Sequence, residues 1–317
     1  MLKNYILLVH NNPAQLKRLI EKLDDGYSKF YIHVDKLSDI SSFEKEFISF
    51  SNVKFILNRE NGTWGGIGIV LGTLNAIDEI IKDKNKGHLI LLSGQDYPLK
   101  SNEEINAYLL ANKDVNFIDI APIKEVFPQE WNKRMFYYKY NLSNQKGKYI
   151  LVPTLFSKSI LEINTLKVIA KIIIHHKGFS FLKEVLSNLL KKRNVPTNIN
   201  LKAGGQWWAL TNETAKKIIT FSKENTELLD YFKYTVLPDE MYFQTVIHHF
   251  IENGHSINIK PMITYVNWER KGCDLPVTFI SSDYDELISQ KNKLFARKFN
   301  TNIDCTILDK LDQLHKK

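Results

Sequence analysis

The chain has 317 residues, 44% hydrophobic and 12% aromatic, with two cysteines. That is enough apolar material for one large core or two modest ones, and it excludes a disordered chain, a disulfide framework and a four-cysteine zinc site. A formal charge of +8 favours anionic partners such as nucleotide phosphates or an acidic membrane face, while the lack of a zinc knuckle, RNP motif or long basic arm argues against a dedicated nucleic-acid binder.

In chain order, YILLVH (5–10) predicts a buried first strand rather than a secretion leader. Asn12 and Pro13 supply the cap and first position of a helix with Leu16, Leu19, Ile20 and Leu23 on its apolar face. Further strands are predicted at FYIHVD (30–35), VKFIL (53–57), HLILLS (88–93) and VNFIDIA (115–121). Helices are predicted at 67–81 and after the capping box of Ser101 and Glu104. Such alternation specifies an α/β fold with a mostly parallel sheet covered on both faces. From 122 to 200 the pattern turns helical and basic, with eight Lys or Arg against two Glu between Lys158 and Arg193. This suits either a peripheral contact with an anionic membrane or a helical excursion with solvated lysines. A strand-like GGQWWAL (204–210), a helix after Asn212 and a helix opened by Pro238 complete the pattern. No run reaches the roughly eighteen apolar residues that span a bilayer. The expectation is a single domain: a nucleotide-sugar half at 1–121, a basic insertion at 122–200 and an acceptor and catalytic half at 201–317.

Ligands of open parallel sheets bind beyond the carboxyl ends of the strands. That rule selects His10, Asp35, Lys36 and the run Ser93 to Asp96. Neither G-x-G-x-x-G nor a Walker loop is present, which argues against dinucleotide and P-loop enzymes. In LPDE, Pro238 at a first helical position would set Asp239 and Glu240 among free N–H groups. The helix dipole should then keep Glu240 ionised near neutral pH, ready to take a proton from a hydroxyl, although the same position also suits a simple cap. Gly204 and Gly205 before Gln206, Trp207 and Trp208 suggest close backbone approach to a flat ligand. The tryptophans suit a sugar face or the core.

Seven segments carry a resemblance that extends over nearly the whole chain outside 122–200: ILLVHNN (6–12), YIHVDK (31–36), NGTWGGIGIV (61–70), LILLSGQDYPLKSNEEI (89–105), GGQWWALT (204–211), LPDEMYFQTVI (237–247) and KLFARKF (293–299). In these, in this order, the sequence resembles the core-2/I-branching β-1,6-N-acetylglucosaminyltransferases and the peptide O-xylosyltransferases. The resemblance implies a GT-A type fold and an inverting, metal-independent glycosyltransferase. GlcNAc or xylose would pass from a UDP-sugar to a hydroxyl of a saccharide acceptor, with no cofactor and no divalent metal. It places the general base on Glu240, with Leu237 where the family has serine, and the diphosphate on Lys298 helped by Arg297. His10, Asp35, Lys36, Trp64 and Gly65 would form the nucleotide pocket. Asp96, Asp119, Gly205, Gln206, Trp207, Trp208, Asp239 and Trp268 would contact donor or acceptor sugars. Asp35 also suits a turn, Asp96 a loop brace, Asp119 a buried structural partner and Trp268 the core. A second family cation falls on Val277, leaving Arg270 or Lys271 as substitutes, and the D-x-D of Asp283 and Asp285 reads as a surface turn. With cysteines only at Cys273 and Cys305, the expected setting is cytoplasmic. The enzyme would build bacterial surface polysaccharide or lipooligosaccharide, peripheral on the inner membrane face if the acceptor is lipid-linked. The alternative is a catalytically impaired sugar-nucleotide-binding protein on the same fold.

Overall fold

Strand β1 (Lys3–Val9) sets the layering. Side chains alternate across a strand, so one that is apolar on both faces must be covered on both. Tyr5, Leu7 and Val9 enter one apolar cluster with the helix Pro13–Leu23, and Ile6 enters a second with the helix Gly68–Lys82. The computed structural model describes residues 2–157, 167 and 178–314.

β1 pairs in parallel with β2 (Ser28–Val34) and, on its other side, with a strand at His88–Ser93. Numbering in chain order makes Val53–Phe55, parallel to β2, strand β3 and His88–Ser93 strand β4. Beyond β4 the sheet continues through Ala209–Leu210, then Val115–Phe117, then Asn258–Lys260. Of these seven strands only Ala209–Leu210 runs against the rest. The mostly parallel α/β expectation therefore holds. A three-stranded sheet flanks it, joining Thr264–Val266, Phe295–Arg297 and Asp96–Pro98, with Asp96 directly opposite Arg297.

Helix starts follow the predicted chemistry. The Asn12 side chain accepts the Gln15 N–H at 3.1 Å with Pro13 at the first position, and Ser101 and Glu104 exchange both bonds of a capping box. Four expectations are corrected. VKFIL pairs only to Phe55, because Leu57 turns out to solvent at 92% exposure. VNFIDIA pairs in the main sheet only to Phe117; Asp119 instead accepts the Met262 N–H, and Ala121–Pro122 pairs with Lys202–Ala203. In GGQWWAL only Ala209–Leu210 is strand, since Gly204 lies against the Asp119 carbonyl, where any Cβ would sit 1.9 Å from that oxygen. The Asp283–Asp285 motif is no surface turn: Asp283 is buried and pairs with Arg270 at 2.9 Å.

The basic stretch 158–193 falls largely outside the described residues at 158–166 and 168–177. Within the described part, the helix Phe179–Leu189 packs Val185 and Leu189 onto a hairpin of Tyr138–Asn141 and Tyr149–Val152. Buried Arg193 holds this unit to the rest, donating to the carbonyls of Arg134, Tyr137 and Tyr231 and to the Thr235 hydroxyl. Among the described residues no helix is long and apolar enough to cross a membrane.

Candidate active site

The carboxyl ends of β1, β2 and β4 open into a cavity of about 620 Å³. Its wall takes His10 and Asn11 after β1, Asp35 after β2, and Ser93 to Gln95 at the end of β4. Trp64 and Gly65, Gly205 to Trp207, Asp239, Glu240, Trp268, Arg297 and Lys298 complete the predicted residues found there. Residues far apart in the chain thus converge where the strand-end rule places ligands.

Pro238–Glu240 is a single 3-10 turn rather than the start of the following helix, which begins at Tyr242. Leu237 before it is left-handed (φ 51°), a conformation costing on the order of 1 kcal/mol or more for a residue with a side chain. Gly65 accommodates it. The Leu237 N–H donates to the Gly65 carbonyl at 3.1 Å, and a Cβ on Gly65 would press on the Leu237 side chain at 3.3 Å. On the other side, the Gly204 N–H donates to the Glu240 carbonyl at 2.9 Å. Gly65 and Gly204 thus fix the acidic turn, and Gly65 also lines the cavity.

Glu240 faces the cavity with its side chain 20% exposed, and its Oε2 accepts from Arg134 Nη1 at 3.2 Å. Burial, and then the neighbouring Asp239 charge, push its carboxyl up to about 7, against the opposing pull of Arg134. This runs against the expectation that a helix dipole keeps Glu240 ionised near neutral pH: desolvation outweighs the weak field of one short turn. Asp239 is more deeply buried, with Oδ1 unpartnered, and burial pushes it up to about 6.

Arg297 is part-buried, with its guanidinium 4.0 Å from the Trp207 ring centroid and Nη1 3.3 Å from Asp96. Burial pushes it down from its ordinary value, opposed by Asp96 and Asp239. Lys298 is pushed down by burial, with Lys146 and Arg297 adding repulsion. Lys146, in the hairpin tip, reaches the same cavity. The result is a cationic pole facing the Asp239 and Glu240 pair. Asp35 accepts the Gly62 N–H at 2.6 Å and the Leu37 N–H at 2.8 Å, so it braces the pocket loop from the pocket wall. Among the described residues no group of three or more His, Cys, Asp or Glu is arranged to hold a metal ion.

Several predicted residues stand elsewhere. Trp208 is in the core, 1% exposed against Phe243, whereas Trp207 lines the cavity. Asp96 lies beneath the wall, bonded to Ser93 and Arg297, and burial raises its carboxyl. Asp119 tethers Met262, and it is Met262 that lines the cavity. Lys36 is exposed and outside the wall. Val277 is in the core, and Arg270 is engaged by Asp283 and Glu286, so neither it nor exposed Lys271 supplies a second cation at the cavity.

Arg134 and Lys139, both from the stretch read as an insertion, were not foreseen. Arg134 lies over the Phe127 ring at 3.5 Å as well as on Glu240. Lys139, 5% exposed, donates to the carbonyls of Trp64 and Gly65, and burial pushes it down to about 8. The available signal was RMFYYKY (134–140), two cations inside an apolar and aromatic run.

The chain matches the family model for the Core-2/I-Branching enzyme over residues 4–289. It belongs to that family. Relatives within reach of the Core-2/I-branching chain include a xylosyltransferase of Ciona intestinalis, 26% identical over 97% of this chain and 33% of its own length. Xylosyltransferase 2 of Homo sapiens is 25% identical over 97% and 33%, and xylosyltransferase 1 of Rattus norvegicus 24% over 97% and 35%. This family member spans about a third of the length of these curated relatives.

Proposed function

We propose that the chain is an inverting glycosyltransferase that moves GlcNAc or xylose from a UDP-sugar to a hydroxyl of a saccharide acceptor. The carrying observation is that Glu240, raised to about 7 and oriented by Arg134, shares one cavity with Arg297 and Lys298. A carboxylate with a pKa near the working pH is a competent general base. It takes the acceptor hydroxyl proton as that oxygen bonds to the anomeric carbon. The bond from that carbon to the diphosphate breaks on the opposite face, and its electron pair leaves on the phosphate oxygen, where Lys298 and Arg297 stabilise the charge. With fixed cations at that end, no divalent ion is required. Family membership and xylosyltransferase relatives support the reaction class.

A thermal-shift panel of UDP-sugars with and without EDTA tests donor and metal together, because stabilisation follows site occupancy. Stabilisation by a UDP-sugar unaffected by EDTA is expected; a shift that EDTA abolishes would refute the metal-independent form. Glu240→Gln should keep that shift and lose transfer. The second reading, a sugar-nucleotide-binding protein without transfer, rests on Val277 in place of the family cation. It predicts that the wild-type chain also binds without releasing UDP.

A further inference from the structure

Large apolar side chains gathered on one exposed patch need an explanation, whereas scattered ones do not. Leu186 and Leu190 point outward from the helix Phe179–Leu189 and its end, 54% and 65% exposed, while Val185 and Leu189 fill the hairpin core beneath. Leu155 and Phe156, 48% and 69% exposed, lie beside them, since the Leu155 N–H donates to the Leu189 carbonyl at 3.0 Å. The helix is therefore apolar on two sides, and among the described residues only one of them is packed against the protein. Exposed Lys183, Lys191 and Lys192 flank the patch. The acid on the helix, Glu184, is turned to the Tyr234 hydroxyl at 2.6 Å.

We infer that this face docks on a bilayer bearing anionic lipid. Leucines with a lysine border match the acyl boundary and the negative headgroups together. Charge selects this occupant over a second copy: two chains of charge +8 meeting through lysine-edged faces would repel. The inference is independent of the proposed reaction. It gives physical content to the described end of the basic stretch. The same hairpin that this helix packs on also carries Asn144 and Lys146 to the cavity. Docking here would therefore hold the cavity rim close to the membrane and favour a lipid-linked acceptor.

Co-sedimentation with vesicles of phosphatidylcholine alone, and of phosphatidylcholine mixed with phosphatidylglycerol, tests it. The wild-type chain should pellet with the anionic vesicles and not with the neutral ones. Lys191→Glu with Lys192→Glu should weaken partition by about twenty-five-fold or more, each lysine at an anionic surface contributing roughly fivefold. Leu186→Ser with Leu190→Ser should weaken it at every salt concentration, including high salt where the lysines are screened. Circular dichroism would confirm that the variants fold, all four positions being exposed. Recovery of wild-type protein in the supernatant with anionic vesicles overturns the inference. So does a concentration-dependent dimer that the leucine variant dissolves, which would make a second copy the occupant.

Discussion

At Glu240 two effects compete, and magnitude decides between them. A helix terminus stabilises a nearby carboxylate by about 0.3–1 kcal/mol, whereas a rise from 4.5 to about 7 corresponds to roughly 3 kcal/mol against the ionised form. Transfer should therefore rise with pH through about 7 and then level as Glu240 deprotonates. Arg134 pulls in the other direction, so Arg134→Gln should move that midpoint upward, with Arg134→Lys restoring part of the shift. Paired pH–rate profiles check this; an unmoved midpoint would show that the ion pair does not tune the base. Asp239 gives a stability test of the same physics. Its folded pKa, about 6, lies above the ordinary 3.8. In that interval the folded state holds the proton more tightly, so stability falls as pH rises and the penalty persists above the interval. Asp239→Asn cannot ionise. It should gain on the order of 1–3 kcal/mol over the wild type at about pH 8 and little at about pH 4, read from urea midpoints.

At the scale of elements, much of the fold was legible and the reasons are local. β1 and β4 announce themselves as short apolar runs buried on both faces, and the helices at Pro13 and Asn102 carry their caps in sequence. Strand-end placement then brought His10 and Asp35 to the cavity that Glu240, from the 3-10 turn, also lines. Illegible were partners made by tertiary approach: nothing in the letters around Arg134 says that it meets Glu240, more than a hundred residues later. Nor does Trp207-Trp208 reveal which ring faces the cavity, since both lie in irregular backbone before the strand Ala209–Leu210 and have no strand alternation to sort them. The glycines were legible as close approaches, but they approach protein. Gly204 shows this most clearly, with the Asp119 carbonyl on one side and its N–H on the Glu240 carbonyl. Gly204→Ala forces the backbone to move, at a cost of about 1–3 kcal/mol. It should displace the acidic turn, lowering kcat more than it alters KM. Thermal melts with steady-state kinetics report both, and an unchanged kcat would separate this contact from the turn's position.

Across the whole molecule, net charge and local charge make different predictions about nucleotide binding. The overall +8 acts at long range and is damped within about 8 Å at physiological salt. Lys298, Arg297 and Lys146 instead face one cavity, where burial first and then repulsion from Lys146 and Arg297 disfavour the charged Lys298, so a bound diphosphate offsets a penalty already present. If that local arrangement governs binding, Lys298→Gln should weaken UDP by about tenfold or more, as loss of one charge-assisted bond does. Lys146→Gln, at the exposed hairpin tip, should cost less and flatten the salt dependence. Lys113→Gln removes the same net charge from a surface lysine outside the cavity wall and should leave affinity within about twofold. Calorimetric titration of UDP at low and high salt against the three variants decides the matter. Equal losses in all three would mean that the molecule's overall field, rather than the geometry of this site, draws the nucleotide in.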